Sequence, residues 1–382
     1  MIRRLVVSNF RSLGEEVVLR PGPLTVLVGP NGSGKSNVVD VFRFIAESIR
    51  VGLEAAITKR QGISALRRWS TGHPFDLKIL VEVAAGGMAG SYELVLGGDR
   101  AQEYRVKREA ASVGSGHGRA SYVVDDGAWR DGPPGLAPKV DAGGLALPLV
   151  AADERFRPLA DALRDMAIYS IFPDTLRDPQ KPDPTRPMDE HGANWTSVLR
   201  GLRGETWEPE LRAALGKVTG DIVDVRVRQV GGYLVAEFLH VHGGDRPTPR
   251  RRERWFAAGQ ESDGTLRIAG ILTALLQEPP LALIGVEEPE LTVHPGAIPL
   301  LHDYLREASQ RSQVLVTTHS PDLLGLLDPD EVRVVERRGG VTSIAPMEVS
   351  QRDAVRERLL SLEEVLRLEG LRQGPAEQLP TG

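Results

Sequence analysis

The sequence has no cysteine in its 382 residues. That excludes disulfides, thiolate zinc sites and a cysteine nucleophile, and it fits a reducing cytoplasm. Charge of one sign is also lacking: 47 Lys and Arg stand against 52 Asp and Glu, a net of −5. No global basic field advertises nucleic acid, so any such contact must rest on a local patch. Long apolar runs are missing too. Met1-Ile2-Arg3-Arg4-Leu5-Val6-Val7 gives way at once to Ser8-Asn9, an apolar stretch too short for a signal peptide. No run approaches the ~20 residues of a membrane span. The expectation is a soluble, cytoplasmic protein with no membrane partner. At roughly 100–200 residues per domain, two lobes and one large domain with an insertion are both open.

The apolar pattern is that of an α/β protein. Leu5–Val7 and Val17–Leu19 read as strands around a turn, and Leu24–Val28 as a fully buried strand. Val38, Val41, Phe42, Ile45 and Ile49 are spaced for a helix over Asn37–Arg50. From Phe75 to Trp129 the period changes to two, with Leu77, Ile79, Val81 and Val83 on one side and glycine pairs between runs. That predicts an antiparallel meander. Helices are expected over Asp153–Met166, Thr196–Leu202, Leu266–Leu276, Ile298–Ser309 and Ala354–Leu368, the last charged and amphipathic. Strands are expected at Ile222–Val227, Tyr233–Leu239, Leu281–Val286, Val314–Thr318 and Glu331–Glu336. Pro173–Pro187, rich in proline, reads as an extended connector, and the tail after Gly374 as loose. Internal repeats and sustained heptads are absent.

Gly29-Pro30-Asn31-Gly32-Ser33-Gly34-Lys35-Ser36 matches the phosphate-binding pattern G-x-x-x-x-G-K-[ST] in full. A buried strand enters it and a helix leaves it, as the pattern requires. Glycines let backbone N–H groups curl round phosphate oxygens, and the helix start points its positive end at them. Lys35 would neutralise the β- and γ-phosphates of ATP, and Ser36 would coordinate Mg²⁺. A second buried strand ends in Glu287-Glu288-Pro289-Glu290. Glu287 is assigned to the metal and Glu288 to the attacking water; the alternative is an acidic surface turn. His319 follows the strand Val314–Thr318. A lone histidine is usually structural, but strand ends are where α/β sheets place ligand chemistry, so His319 is a candidate γ-phosphate sensor. Ser262-Asp263-Gly264-Thr265, read alone, is an ordinary helix N-cap.

Taken in order, these motifs resemble the ATP-binding-cassette ATPases, in the branch of the chromosome-maintenance, recombination-repair and OLD-type proteins. Within it the chain looks most like the small stand-alone bacterial ATPases. The resemblance runs from Asn9-Phe10-Arg11-Ser12, through Pro30–Asn37, to Thr317-Thr318-His319-Ser320-Pro321. It includes Asp189-Glu190-His191-Gly192-Ala193-Asn194 and, with Glu287–Glu290, His294-Pro295. It implies a P-loop NTPase head with a mixed or parallel core sheet, an antiparallel β subdomain and a helical insertion. The parts would be 1–60 for the phosphate loop, 61–150 for the β subdomain, 151–255 for the insertion and a β pair, 256–345 for the signature, carboxylates and histidine, and 346–382 for a terminal helix and tail. It implies ATP contacts from Asn31, Gly32, Ser33, Gly34, Lys35, Ser36 and Asn37, with help from Arg11. Catalysis would fall to Lys35, Glu288 and His319, and Mg²⁺ to Ser36 and Glu287. It also implies a head-to-tail homodimer that closes on ATP, Ser262 and Gly264 acting on nucleotide held by the other copy.

The chain departs from the pattern in places. Glu287 stands where Asp is more usual, and Asp263 interrupts the commoner Ser-Gly-Gly. Gln61 is the candidate for the family's glutamine loop, against a solvated loop residue. A long coiled coil with Cys-x-x-Cys is absent, as in no zinc-hook repair ATPase, and the 63 residues after His319 (382 − 319) are too few for an OLD-type nuclease domain. The expected role is a conformational switch in DNA repair, maintenance or anti-phage defence. The alternatives are an ATP-binding scaffold with little turnover for a partner nuclease or effector, and a transporter ATPase. Arg246, Arg250, Arg251, Arg252 and Arg254 form the one local patch that could grip nucleic acid; a solvated loop is the plainer reading.

Overall fold

Period-two alternation builds the largest sheet. Seven strands lie in the order Val17–Leu19, Ile2–Ser8, Leu77–Ala85, Met88–Gly97, Arg105–Val113, Ala120–Asp125 and Ala128–Asp131. Every neighbouring pair is antiparallel, so the expected meander is present. Leu77, Ile79 and Val81 are fully buried, as one face of an alternating strand should be. The computed structural model describes residues 1–69, 75–85, 87–98, 103–114, 118–201, 208–242 and 252–376. They fall into two units, Met1–Met166 with Asp328–Gly382, and Ala167–Leu327.

In the first unit the strand Leu24–Val28 is buried at every position. It pairs in parallel with Val332–Arg338, which turns back into the antiparallel strand Val341–Pro346. The helix Lys35–Arg50 buries Val38, Val41, Phe42, Ile45 and Ile49, the stripe its spacing predicts. A buried carboxylate, Glu109, ties the meander to the helix Leu147–Val150. It accepts from the hydroxyls of Tyr122 (2.9 Å) and Tyr92 (3.2 Å) and from the N–H of Leu147 (2.8 Å). Burial raises its pKa against the opposing pull of these bonds.

In the second unit Leu283–Glu287 and Gln313–Thr318 pair in parallel, and the helix Ile298–Ala308 lies between them in sequence. Ile222–Val230, Tyr233–His242 and Arg252–Ala257 form a three-stranded antiparallel sheet. The helix Asp263–Leu276 is buried along nearly its whole length, and its Thr273 hydroxyl accepts from the fully buried Trp195 indole at 3.0 Å.

Several elements differ from expectation. The helix expected over Asp153–Met166 forms only over Arg157–Arg164, with Pro158 in its first turn, and Met166 already opens a strand. The Pro173–Pro187 connector contains a short helix, Pro173–Arg177, for the same reason. The single helix expected over Ala354–Leu368 is two, Val349–Arg356 and Leu362–Leu368. Arg358 turns left-handed between them (φ +59°), and Ser361 with Glu364 makes a capping box for the second. The helices Leu53–Lys59 and Ile63–Leu66 and the strand Val341–Pro346 carry no strong pattern. Part of the Gly114–Gly118 loop, Leu202 and the end of the tail lie outside the described residues.

Candidate functional site

The strand Leu24–Val28 delivers the chain to Gly29, and the loop that follows is packed from behind by the hairpin Val332–Pro346. A Cβ on Gly29 would sit 2.1 Å from the Val335 carbonyl oxygen, and one on Gly34 2.3 Å from the Thr342 hydroxyl. Gly34 also holds φ +105°, a left-handed value suited to glycine. Thr342, buried, donates to the Ser33 carbonyl at 2.8 Å and shares a hydrogen bond with Ser12 at 2.8 Å. Ser12 in turn accepts from the Asn37 amide at 2.6 Å. The loop is thus held by a neutral chain, Asn37–Ser12–Thr342–Ser33.

The helix Lys35–Arg50 starts with no side-chain cap and no acid in its first turn. No carboxylate of its own first turn competes with an anion for its positive pole. Asn31, Gly32 and Ser36 are exposed. The Lys35 ammonium folds back on the Gly29 carbonyl at 2.8 Å and the Pro30 carbonyl at 3.3 Å, within reach of the same loop. These features fit a nucleotide polyphosphate. The Arg11 guanidinium meets Asp40 of the phosphate-loop helix at 2.9 Å. Asp40 also takes Arg60 at 2.7 Å, both being buried. Burial opposes the charge on Arg60, but Asp40 and Glu47 outweigh it and raise its pKa. Beside Arg11, Ser12 and Asn37 opens a groove of about 600 Å³ that Arg67, Arg68, Trp69 and Arg337 also line.

In the second unit Glu287 ends its strand in register with Thr317. Glu288 takes a left-handed turn (φ +46°), its N–H donating to the Thr317 carbonyl at 2.9 Å. Positive φ is uncommon for a non-glycine residue and marks a special position. The Glu288 carboxylate lies 3.4 Å from His319 Nε2. Glu290 accepts from the Thr318 hydroxyl at 2.5 Å and the His319 N–H at 3.2 Å. Arg267 donates to the Glu288 carbonyl at 2.9 Å and the Ile171 carbonyl at 2.7 Å. Burial lowers its pKa, against the pull of Glu290 and Glu288.

Ser262 and Asp263 are exposed at the start of the helix Asp263–Leu276. The Ser262 hydroxyl caps it, accepting from the Thr265 N–H at 3.1 Å. A Cβ on Gly264 would meet the Thr292 carbonyl at 2.6 Å, which explains the glycine. Sequence reasoning passed over Thr342, Arg267 and the bracing role of Glu290. Arg267 left a signal, the one charge in the apolar run Leu266–Leu276; Thr342 left none.

Ser36 and Glu287, the expected Mg²⁺ holders, belong to different units. Among the described residues no cluster of three or more His, Asp or Glu is arranged to hold a metal. Gln61 lies exposed in a left-handed turn (φ +64°). In the segment Asp189–Asn194, the Asn194 amide oxygen accepts from the Asp189 N–H at 2.7 Å and His191 meets the Ser170 carbonyl at 2.8 Å. Of the arginine patch, Arg246, Arg250 and Arg251 lie outside the described residues. Arg254 is exposed, its guanidinium 5.0 Å from the Phe256 ring. Among the described residues no helix is long and apolar enough to cross a membrane.

Mixed α/β sheets, a phosphate loop of this form and these strand-end carboxylates fit the fold of a P-loop ATPase. Residues 24–118 and 155–325 match the family described as "AAA domain, putative AbiEii toxin, Type IV TA system". The match covers more than half of the chain, which belongs to this family and is an ATPase. Over 39 residues, 10% of this chain and 7% of the relative, it is 54% identical to an OLD nuclease of Thermus scotoductus. Over 45 residues, 12% of this chain and 4% of the relative, it is 40% identical to a chromosome partition protein Smc of Halothermothrix orenii. The chain thus spans only a small part of these relatives' length. Among solved structures it is similar to an Smc head bound to the C-winged helix domain of ScpA, with a TM-score of 0.56 at 15% identity over 92% of this chain and 99% of that one. It is also similar to an Smc head with an extended coiled coil from Pyrococcus furiosus, with a TM-score of 0.52 at 14% identity over 94% and 99%. At these identities the likeness concerns the fold.

Proposed function

We propose that this ATPase is a Mg²⁺-dependent switch that closes as a head-to-tail homodimer on ATP and opens on hydrolysis. The observation that carries the chemistry is the Glu288–His319 pair at 3.4 Å. Its backbone is fixed by Thr317 and Arg267, and its histidine by Glu290. In this reading the loop from Asn31 to Asn37 cradles the phosphates and Lys35 neutralises them. Ser36 and Glu287 offer the hard oxygens that Mg²⁺ prefers, and the ion supplies charge neutralisation when bound. Glu288 takes the proton of the attacking water, and His319 reports the γ-phosphate to that carboxylate. Ser262 and Gly264 act on nucleotide held by the second copy, which accords with their place at an exposed helix start. Arg11 acts through Asp40 on the phosphate-loop helix. The five sequence segments are parts of one ATPase head, and the protein works in the cytoplasm.

The process served is DNA maintenance or defence against phage. The family's description, which names a toxin and a Type IV TA system, supports the defence reading and a partner effector. An Smc head of similar fold is bound to the C-winged helix domain of ScpA, which supports a protein partner for this head. The test is phosphate release with and without DNA, run beside sizing in ATP. Turnover with ATP-dependent dimerisation is expected. ATP binding without phosphate release, with or without DNA, would favour the scaffold instead.

A further inference from the structure

At the exposed start of the signature helix, Asp263 places a carboxylate beside Ser262, on a surface meant to receive a polyphosphate. Asp263 lies in the first turn of its helix. A carboxylate suits the helix there but opposes an incoming anion at the same point. Nearby, His240 bridges Asp221 at 2.8 Å and Glu261 at 2.9 Å. Asp174 adds a further exposed carboxylate. Arg177, the last residue of the helix that Pro173 begins, stands among them. Its Nη2 donates to Asp263 at 2.6 Å and to the Glu261 carbonyl at 3.3 Å, while Nη1 pairs with Asp174.

Resting on the dimer reading above, we propose that Arg177 is a positioning residue of the signature segment. It cancels the charge of Asp263 and fixes the main chain before Ser262, so that the segment accepts the triphosphate held by a second copy. One planar fork does both tasks: one nitrogen reaches a carboxylate and a carbonyl, and the other is satisfied by Asp174. Without Arg177, a phosphate arriving at Ser262 meets an unneutralised Asp263. A lysine could carry the charge but not the fork. The competing idea is that Arg177 merely staples its short helix to the signature segment.

The test uses the full chain with Mg²⁺ and a slowly hydrolysed ATP analogue, with self-association followed by sedimentation velocity and folding by thermal melting. R177A is expected to weaken association about tenfold or more, and R177K by less. R177A/D263N, which removes both charges, is expected to return to within about threefold of the wild type. A staple predicts the reverse: the double variant stays as weak as R177A, which overturns the proposal. Association of R177A at the wild-type level overturns it as well. Should R177A fail to fold, D263N alone decides: it is expected to strengthen association about threefold, and unchanged or weaker association counts against the proposal. Wild-type protein that never associates with the analogue removes the dimer reading itself, a result distinct from failure of the Arg177 assignment.

Discussion

The two units hold their site residues by different means. In the first, the phosphate loop is braced by neutral groups, Asn37, Ser12 and Thr342, in a chain that ends on the Ser33 carbonyl. Thr342 and Ser33 are almost wholly buried. In the second, the signature segment is held by charges, the exposed pair of Arg177 on Asp263 and the largely buried pair of His240 on Glu261. Neutral buried bonds do not titrate and are little screened; exposed charged ones respond to salt and pH. The phosphate loop is therefore built as a constant part, and the signature as the part that conditions can tune.

The largest effect expected is from Lys35→Ala. It removes the cation nearest the loop carbonyls, and nucleotide affinity measured by calorimetry is expected to fall ~100-fold or more. Near-normal affinity would mean that the backbone cradle and helix end suffice. Glu288→Gln comes next. Turnover is expected to fall about 10²- to 10⁴-fold while ATP binding persists, and dimer is expected to accumulate. Normal turnover would remove Glu288 as the base.

Thr342→Val tests the neutral brace directly. It keeps the shape beside Gly34 but leaves the Ser33 carbonyl without its donor. Stability is expected to drop by ~1–3 kcal/mol, read by denaturant unfolding, with weaker nucleotide binding. The loss should be alike in low and high salt. A strong salt dependence would break the contrast between the units.

How much of this was legible follows from how local each feature is. The phosphate loop is eight contiguous residues with a fixed spacing, so its glycines, lysine and serine could be read in order. Thr342 lies 309 positions from Ser33 and carries no motif, so only the fold reveals it. The strand-end carboxylates were legible as a group, but the left-handed turn at Glu288 and the brace by Glu290 depend on the neighbouring strand. Arg11 shows the limit of a motif: its residue type was readable, its partner Asp40 was not. The helix expected over Ala354–Leu368 failed because periodicity does not register a single left-handed residue at Arg358.

The smallest effect expected is that of pH on the signature segment. His240, on Tyr233–His242, faces Asp221 before one neighbouring strand and Glu261 after the other, with Arg254 opposite it in register and Phe256 edge-on at 5.1 Å. Burial pulls its pKa down, but Asp221 and Glu261 outweigh burial, so it is raised above the ordinary value near 6.5. A raised histidine pKa stabilises the folded arrangement fully below that ordinary value, and the contribution is lost as pH rises through the folded pKa. ATP-dependent association is therefore expected to weaken as pH climbs from about 6 past the raised pKa. His240→Gln should flatten that profile, while nucleotide binding at the phosphate loop, which has no such group in its brace, stays level across the range. An unaltered slope in His240→Gln would assign the titration to another group and leave the charged support of the signature resting on Arg177 alone.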